Sequence, residues 1–118
     1  MSAASAIAAI LMAVMGIAAI VRPAAIWAPF GVSPTTPASR SEVRAVYGGY
    51  GLAIAALLVY AEHVSIDVRA GILVAVAVSF FGMAAGRLIS ACVEPRTLLG
   101  TSGFFLLVEL GLGGLLLP

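Results

Sequence analysis

From Met1 to Val21 the chain carries no charged side chain, and the first one it meets, Arg22, is followed at once by Pro23. A helix rises about 1.5 Å per residue, so an apolar run of this length covers a hydrocarbon core of about 30 Å. A cleaved signal peptide is the competing reading, but such a segment carries its positive charge before the apolar run, whereas here the arginine comes after it. The segment therefore reads as a spanning helix. The rest of the chain has the same character: 63% of all residues are hydrophobic and 9% are charged, with a mean hydropathy of +1.19. Soluble domains are near a quarter charged, so this composition leaves too little polar surface to cover a globule in water. The expected fold is all-α, an integral membrane four-helix up-down-up-down bundle with helices over about 2–21, 40–61, 68–93 and 97–117, forming a single domain over 1–118.

The breaks between these runs can be read from their punctuation. Residues 23–38 contain Pro23, Pro29, Pro34 and Pro37 with Trp27 and Phe30 among them. Proline at that density excludes a helix core, and the rings suit the headgroup level as an interfacial anchor or, more sharply, as a lid over a ligand. Ser39-Arg40-Ser41-Glu42 fits a capping box opening the second helix. Glu62, His63, Ser65 and Asp67 form a polar turn in which Ser65 or Asp67 caps the third helix. Glu94-Pro95-Arg96 forms the last turn, with proline where a first helical position tolerates it. Short connections make successive helices antiparallel neighbours.

All six basic residues are arginines, and they are unevenly placed. Arg22, Arg40, Arg44, Arg87 and Arg96 fall at one end of the expected bundle and Arg69 alone at the other. By the positive-inside rule the arginine-rich turns are cytoplasmic and both termini are non-cytoplasmic.

Lipid tails are as apolar as leucine, so membrane helices associate through close packing at small residues. Ser5, Ala9, Ala13 and Gly16 mark such a face on the first helix, and Gly71, Ala75, Ser79, Gly82 and Gly86 one on the third. The second helix has two, Gly48, Gly51 and Ala55 on one side and Ala45, Gly49, Ala53 and Ala56 on the other.

Several chemistries lose their ligands. Cys92 and His63 are each the sole residue of their kind, which argues against a disulfide, a CxxC redox pair, bis-His haem or a metal centre. No basic stripe with interleaved aromatics points to nucleic acid. What remains is Glu42, Arg44, Tyr47, Arg87 and Glu109. An ionisable group within a span costs at least about 2.5 to 3.5 kcal/mol and is a site candidate by default. Helical side chains lean towards their own N-terminus, so Arg87 on a descending third helix and Glu109 on an ascending fourth should converge. One reading makes them an ion pair that holds helix register, with the other arginines on lipid phosphates. Another lines a pocket with Arg44, Tyr47, Arg87 and Glu109 for a lipophilic anion or carbonyl compound such as a quinone. A third makes Glu109 a proton or ion carrier in a small transporter.

The run Glu42-Val43-Arg44-Ala45-Val46-Tyr47-Gly48-Gly49, followed by Gly86-Arg87 and Glu109, resembles a family of small, uncharacterised bacterial four-helix membrane proteins that is more distantly similar to the DoxX-like superfamily. The resemblance implies a bacterial inner-membrane location. It also implies an accessory role beside quinone-linked or thiol-linked oxidoreductases, although the paired cysteines of direct thiol chemistry are missing. The expectation is a non-catalytic subunit or homo-oligomer whose partners are membrane lipids and other membrane subunits or further copies of itself. It needs no resident cofactor, a quinone or a lipid being the molecule a pocket would take. The alternatives are an intramembrane binding protein or enzyme for such a substrate, and a transporter.

Overall fold

A computed structural model describes residues 1–118. The chain is mostly helical and has no strand. Its helices are α1 (Ala3–Val21), α2 (Pro23–Trp27), α3 (Pro37–His63), α4 (Ile66–Val93) and α5 (Thr101–Leu116). By contacts it divides into two compact units, Met1–His63 and Val64–Pro118. Each is an α-hairpin.

In the first unit α1 packs against α3. Ser2 caps α1, its Oγ accepting from the Ser5 amide at 3.1 Å. The Met1 amino group lies 3.2 Å from the Glu62 carboxylate, which joins the start of α1 to the end of α3 and makes the pair antiparallel. The contact faces are made of small residues, as expected for Ser5, Ala9 and Gly16 on α1 and Gly48, Gly51 and Ala55 on α3, all of which are buried. The approach is close enough to demand glycine. A Cβ on Gly16 would stand 2.8 Å from the Gly48 carbonyl oxygen, and one on Gly51 would stand 2.8 Å from that of Met12.

In the second unit α4 packs against α5 around Val76, Ala77, Phe80 and Ala84 from one helix and Leu106, Leu112 and Leu116 from the other. Gly113 meets the Phe81 ring so closely that an added Cβ would fall 2.7 Å from it. Ser65 caps α4 by accepting from the Val68 amide at 3.4 Å.

Four features differ from the sequence expectation. The segment 23–38 is not free of helix: Pro23 opens α2, Pro29 lies at the start of a 3-10 turn (Ala28–Phe30), and Pro37 opens α3. Each proline sits at a first or second helical position, where its missing N–H is no loss and its fixed φ is already helical. For the same reason α3 begins at Pro37 rather than Arg40, and its capping box is Thr36 with Ser39, not Ser39 with Glu42. The Thr36 Oγ1 accepts from the Ser39 amide at 3.0 Å and the Ser39 Oγ accepts from the Thr36 amide at 3.0 Å.

The last helix is also shorter than expected. A 3-10 turn occupies Pro95–Leu99, Gly100 interrupts, and α5 starts at Thr101. Gly103 enforces this arrangement, because a Cβ there would overlap the Leu98 carbonyl oxygen. Finally, the small-residue face of α4 is not the one that meets α5. Gly71, Ala75, Gly82 and Gly86 are exposed and Ser79 is half-buried.

Three helices, α1, α3 and α4, are long and apolar enough to cross a membrane. At 16 residues α5 is about 24 Å long, an apolar helix short of the usual span. Large side chains stand exposed along all of them, Val14, Val78 and Leu107 among them.

Candidate functional site

The unit Val64–Pro118 holds a charged pair whose carboxylate is buried and whose guanidinium is partly so. On α5, Ser102, Phe105 and Glu109 follow one another at spacings of three and four residues, so they share a helix face. Glu109 is buried, with a side chain only 6% exposed. Arg87 comes from the last turns of α4, and its N-terminal lean carries it to that face. Its Nε lies 3.0 and 2.9 Å from the two Glu109 oxygens, and its Nη2 lies 2.9 Å from Oε1. Nη1 donates towards the Ser102 Oγ at 3.5 Å. The guanidinium carbon stands 5.4 Å from the centre of the Phe105 ring, within cation–π range.

All three guanidinium nitrogens are thus directed at side chains of the same hairpin. A side-on arginine–carboxylate fork is among the stronger hydrogen-bonded pairs because both partners are charged and the geometry is planar. Glu109 can be foreseen as a mid-span carboxylate and Arg87 as its partner from the direction of lean. Phe105 escapes sequence reasoning. Its only signal is the four-residue spacing to Glu109, which an apolar helix repeats many times without meaning.

Glu42, Arg44 and Tyr47 belong to the other unit. Glu42 and Arg44 are exposed and Tyr47 is half-buried. Arg44 ties two helices together, since its Nε donates to the Ile20 carbonyl at 3.1 Å. That oxygen is in the last turn of α1, where carbonyls lack helical partners and the helix dipole favours a cation. Arg40 similarly reaches the Pro34 carbonyl, with Nη1 at 3.4 Å.

The run Arg44-Ala45-Val46-Tyr47-Gly48-Gly49 is a π-helical segment within α3. Its effect shows in the buried stripe of that helix, Val43, Gly48, Gly51, Ala55 and Leu58, which jumps five residues across the segment and then returns to steps of three and four. A regular helix would place Arg44 and Gly48 on one face, as the sequence alone suggests. With the widened turn, Gly48 is buried against α1, where a Cβ would meet Ile20, and Arg44 reaches the Ile20 carbonyl at the end of α1. Pi-bulges inside α-helices are uncommon and frequently mark functional sites.

Within the hairpins, no three His, Cys, Asp or Glu side chains gather in a metal-holding group. No curated protein and no solved structure matches the chain. Over residues 1–118 it does match the family described as a domain of unknown function, DUF4345. The whole-length match covers both hairpins, the π-helical segment and the Arg87–Glu109 pair, and the chain belongs to that family.

Proposed function

We propose that this protein is a four-span membrane protein that works by assembly, as a non-catalytic subunit or a small homo-oligomer, with its arginine-rich turns on the cytoplasmic side. The observation that carries this reading is the closed state of the Arg87 guanidinium, with Nε and Nη2 on Glu109 and Nη1 towards Ser102. A charged pair satisfied inside one hairpin holds the register of α4 on α5, and it offers no unengaged nitrogen for a substrate.

The exposed small-residue faces support the assembly half of the reading. Gly71, Gly82 and Gly86 of α4 have nothing within 4 Å of where a Cβ would be, and Ala45, Gly49, Ala53 and Ala56 of α3 are exposed as well. In a membrane such faces are where helices meet closely. The shorter α5 reaches across by local thinning of the bilayer, which costs fractions of a kcal/mol per Å.

Mild detergent extraction followed by native mass measurement tests it. The expected result is an assembly larger than one chain, dissociated by Gly82→Leu with Gly86→Leu while helix content is retained. A stable lone chain, with no protein co-purifying, refutes it.

A further inference from the structure

The structure holds a concave apolar surface that the ion pair and the small-residue faces leave unused. Pro23 disfavours helical geometry in the residue before it, and Arg22 accordingly leaves the helical region, with φ −135° and ψ 78°. The chain therefore bends between α1 and α2. In the bend lies a groove of about 440 Å³ lined by Val14, Ile17, Ala18, Val21, Arg22 and Ala25. The α1 residues follow the spacing of one helix face, on the side away from α3, and Val14, Ile17 and Val21 are 60%, 55% and 69% exposed. Val14 to Val21 spans about 10 Å along the axis, the depth of the upper part of an acyl chain.

Arg22 is the one charged residue in the lining of this groove. The backbone of Arg22 is tied down on both sides, its amide donating to the Ala18 carbonyl at 2.7 Å and its carbonyl accepting from the Ala25 amide at 2.9 Å. Its side chain is exposed, and, unlike Arg40 and Arg44, it donates to no protein acceptor. A few residues on come Trp27, half-buried, and Phe30, exposed, rings of the kind that settle at the headgroup level. An open apolar groove with an unengaged guanidinium in its lining, followed along the chain by aromatics of interfacial type, matches one ligand chemistry in charge and in polarity.

We infer that the bend between α1 and α2 binds an anionic phospholipid, its acyl chain in the groove and its phosphate on Arg22. The inference rests on the membrane reading above and gives it a specific lipid site. Arginine is suited to this, since its planar fork binds phosphate oxygens in pairs.

The test uses the full chain, reconstituted in phosphatidylcholine nanodiscs with and without phosphatidylglycerol and then ejected for native mass measurement. One phosphatidylglycerol is expected to stay with each chain in preference to phosphatidylcholine. Arg22→Gln should weaken its retention about fivefold, the effect of one basic residue near an anionic surface. Arg22→Lys should keep most of it. Val14→Trp, which fills the groove without altering charge, should reduce retention of both lipids. Arg22 and Val14 are exposed, so neither change removes buried packing, and circular dichroism verifies the helices. Equal retention of the two lipids, or wild-type retention by both Arg22→Gln and Val14→Trp, overturns the inference. So does a free fatty acid or a quinone found in place of the phospholipid. A chain that remains in the water-soluble fraction without detergent overturns the membrane reading itself, whereas a membrane-bound chain without lipid preference overturns only the site.

Discussion

Glu109→Ala is the perturbation that asks most directly what the charged pair does. It removes a carboxylate whose side chain is 6% exposed and which receives Arg87 Nε on both oxygens and Nη2 on one. Breaking a buried pair from one side costs about 3 to 5 kcal/mol, because the remaining charge has no partner. Arg87 is 23% exposed and lies near the end of α4, so its long stem can turn the guanidinium towards water. That relief sets the expected loss at the lower end, about 3 kcal/mol. Replacing both residues by apolar ones of similar volume, Arg87→Met with Glu109→Leu, removes the stranded charge and should return stability to within about 1 kcal/mol of the original. Glu109→Gln keeps one acceptor and should fall between, at about 1.5 kcal/mol. Equilibrium unfolding in mild detergent, followed by far-ultraviolet circular dichroism, measures the three variants against the wild type. The reasoning fails if the double change costs as much as Glu109→Ala, or if Glu109→Ala costs less than about 1 kcal/mol. Loss of a bound ligand at unchanged stability would instead favour a binding role for the pair.

Gly16→Ala should destabilise the first hairpin by about 1 to 3 kcal/mol through overpacking, since the new Cβ meets the Gly48 carbonyl and Leu52 at 2.8 Å. Gly114→Ala, with nothing within 4 Å, should leave stability equal or raise it by up to about 1 kcal/mol. Equal losses in the two would show that the close approach of α1 to α3 is not what Gly16 permits. Thr36→Ala removes the cap of α3 and should cost about 0.5 to 2 kcal/mol, while Glu42→Ala, at an exposed position outside the cap, should cost little; the reverse order in thermal unfolding would restore Glu42 to the capping role. On the proposed orientation a reporter fused after Pro118 should show non-cytoplasmic activity, five arginines lying at one end against one at the other; cytoplasmic activity inverts the orientation.

Local physics makes much of this fold readable from the chain alone. The residue before a proline is disfavoured in the helical region, so α1 ends at Val21 and α4 at Val93, each one residue before a charged residue that precedes proline. Ser65 caps α4 because a hydroxyl one residue before the run can take an orphan amide. The meeting of Arg87 with Glu109 follows from the lean of helical side chains and an antiparallel pair. The start of α3 is harder to read because two local signals compete there, and Pro37 at the first helical position prevails over Ser39 as the cap.

What sequence determined by itself is therefore that the chain forms long apolar helices, how long the apolar runs are and which charges lie inside them. Tertiary structure decided which faces meet. The π-helical turn at Arg44–Gly49 exists in a segment whose periodicity reads as regular helix, and it brings Gly48 and Gly51 onto α1 while sending Arg44 to the Ile20 carbonyl. The small residues of α4 look equivalent to those of α1, yet one set is buried and the other exposed. The physical reason is that a small residue states only that a backbone can come close. Which backbone does so depends on the side chains of both helices together, and that information lies in the pair rather than in either strip of sequence.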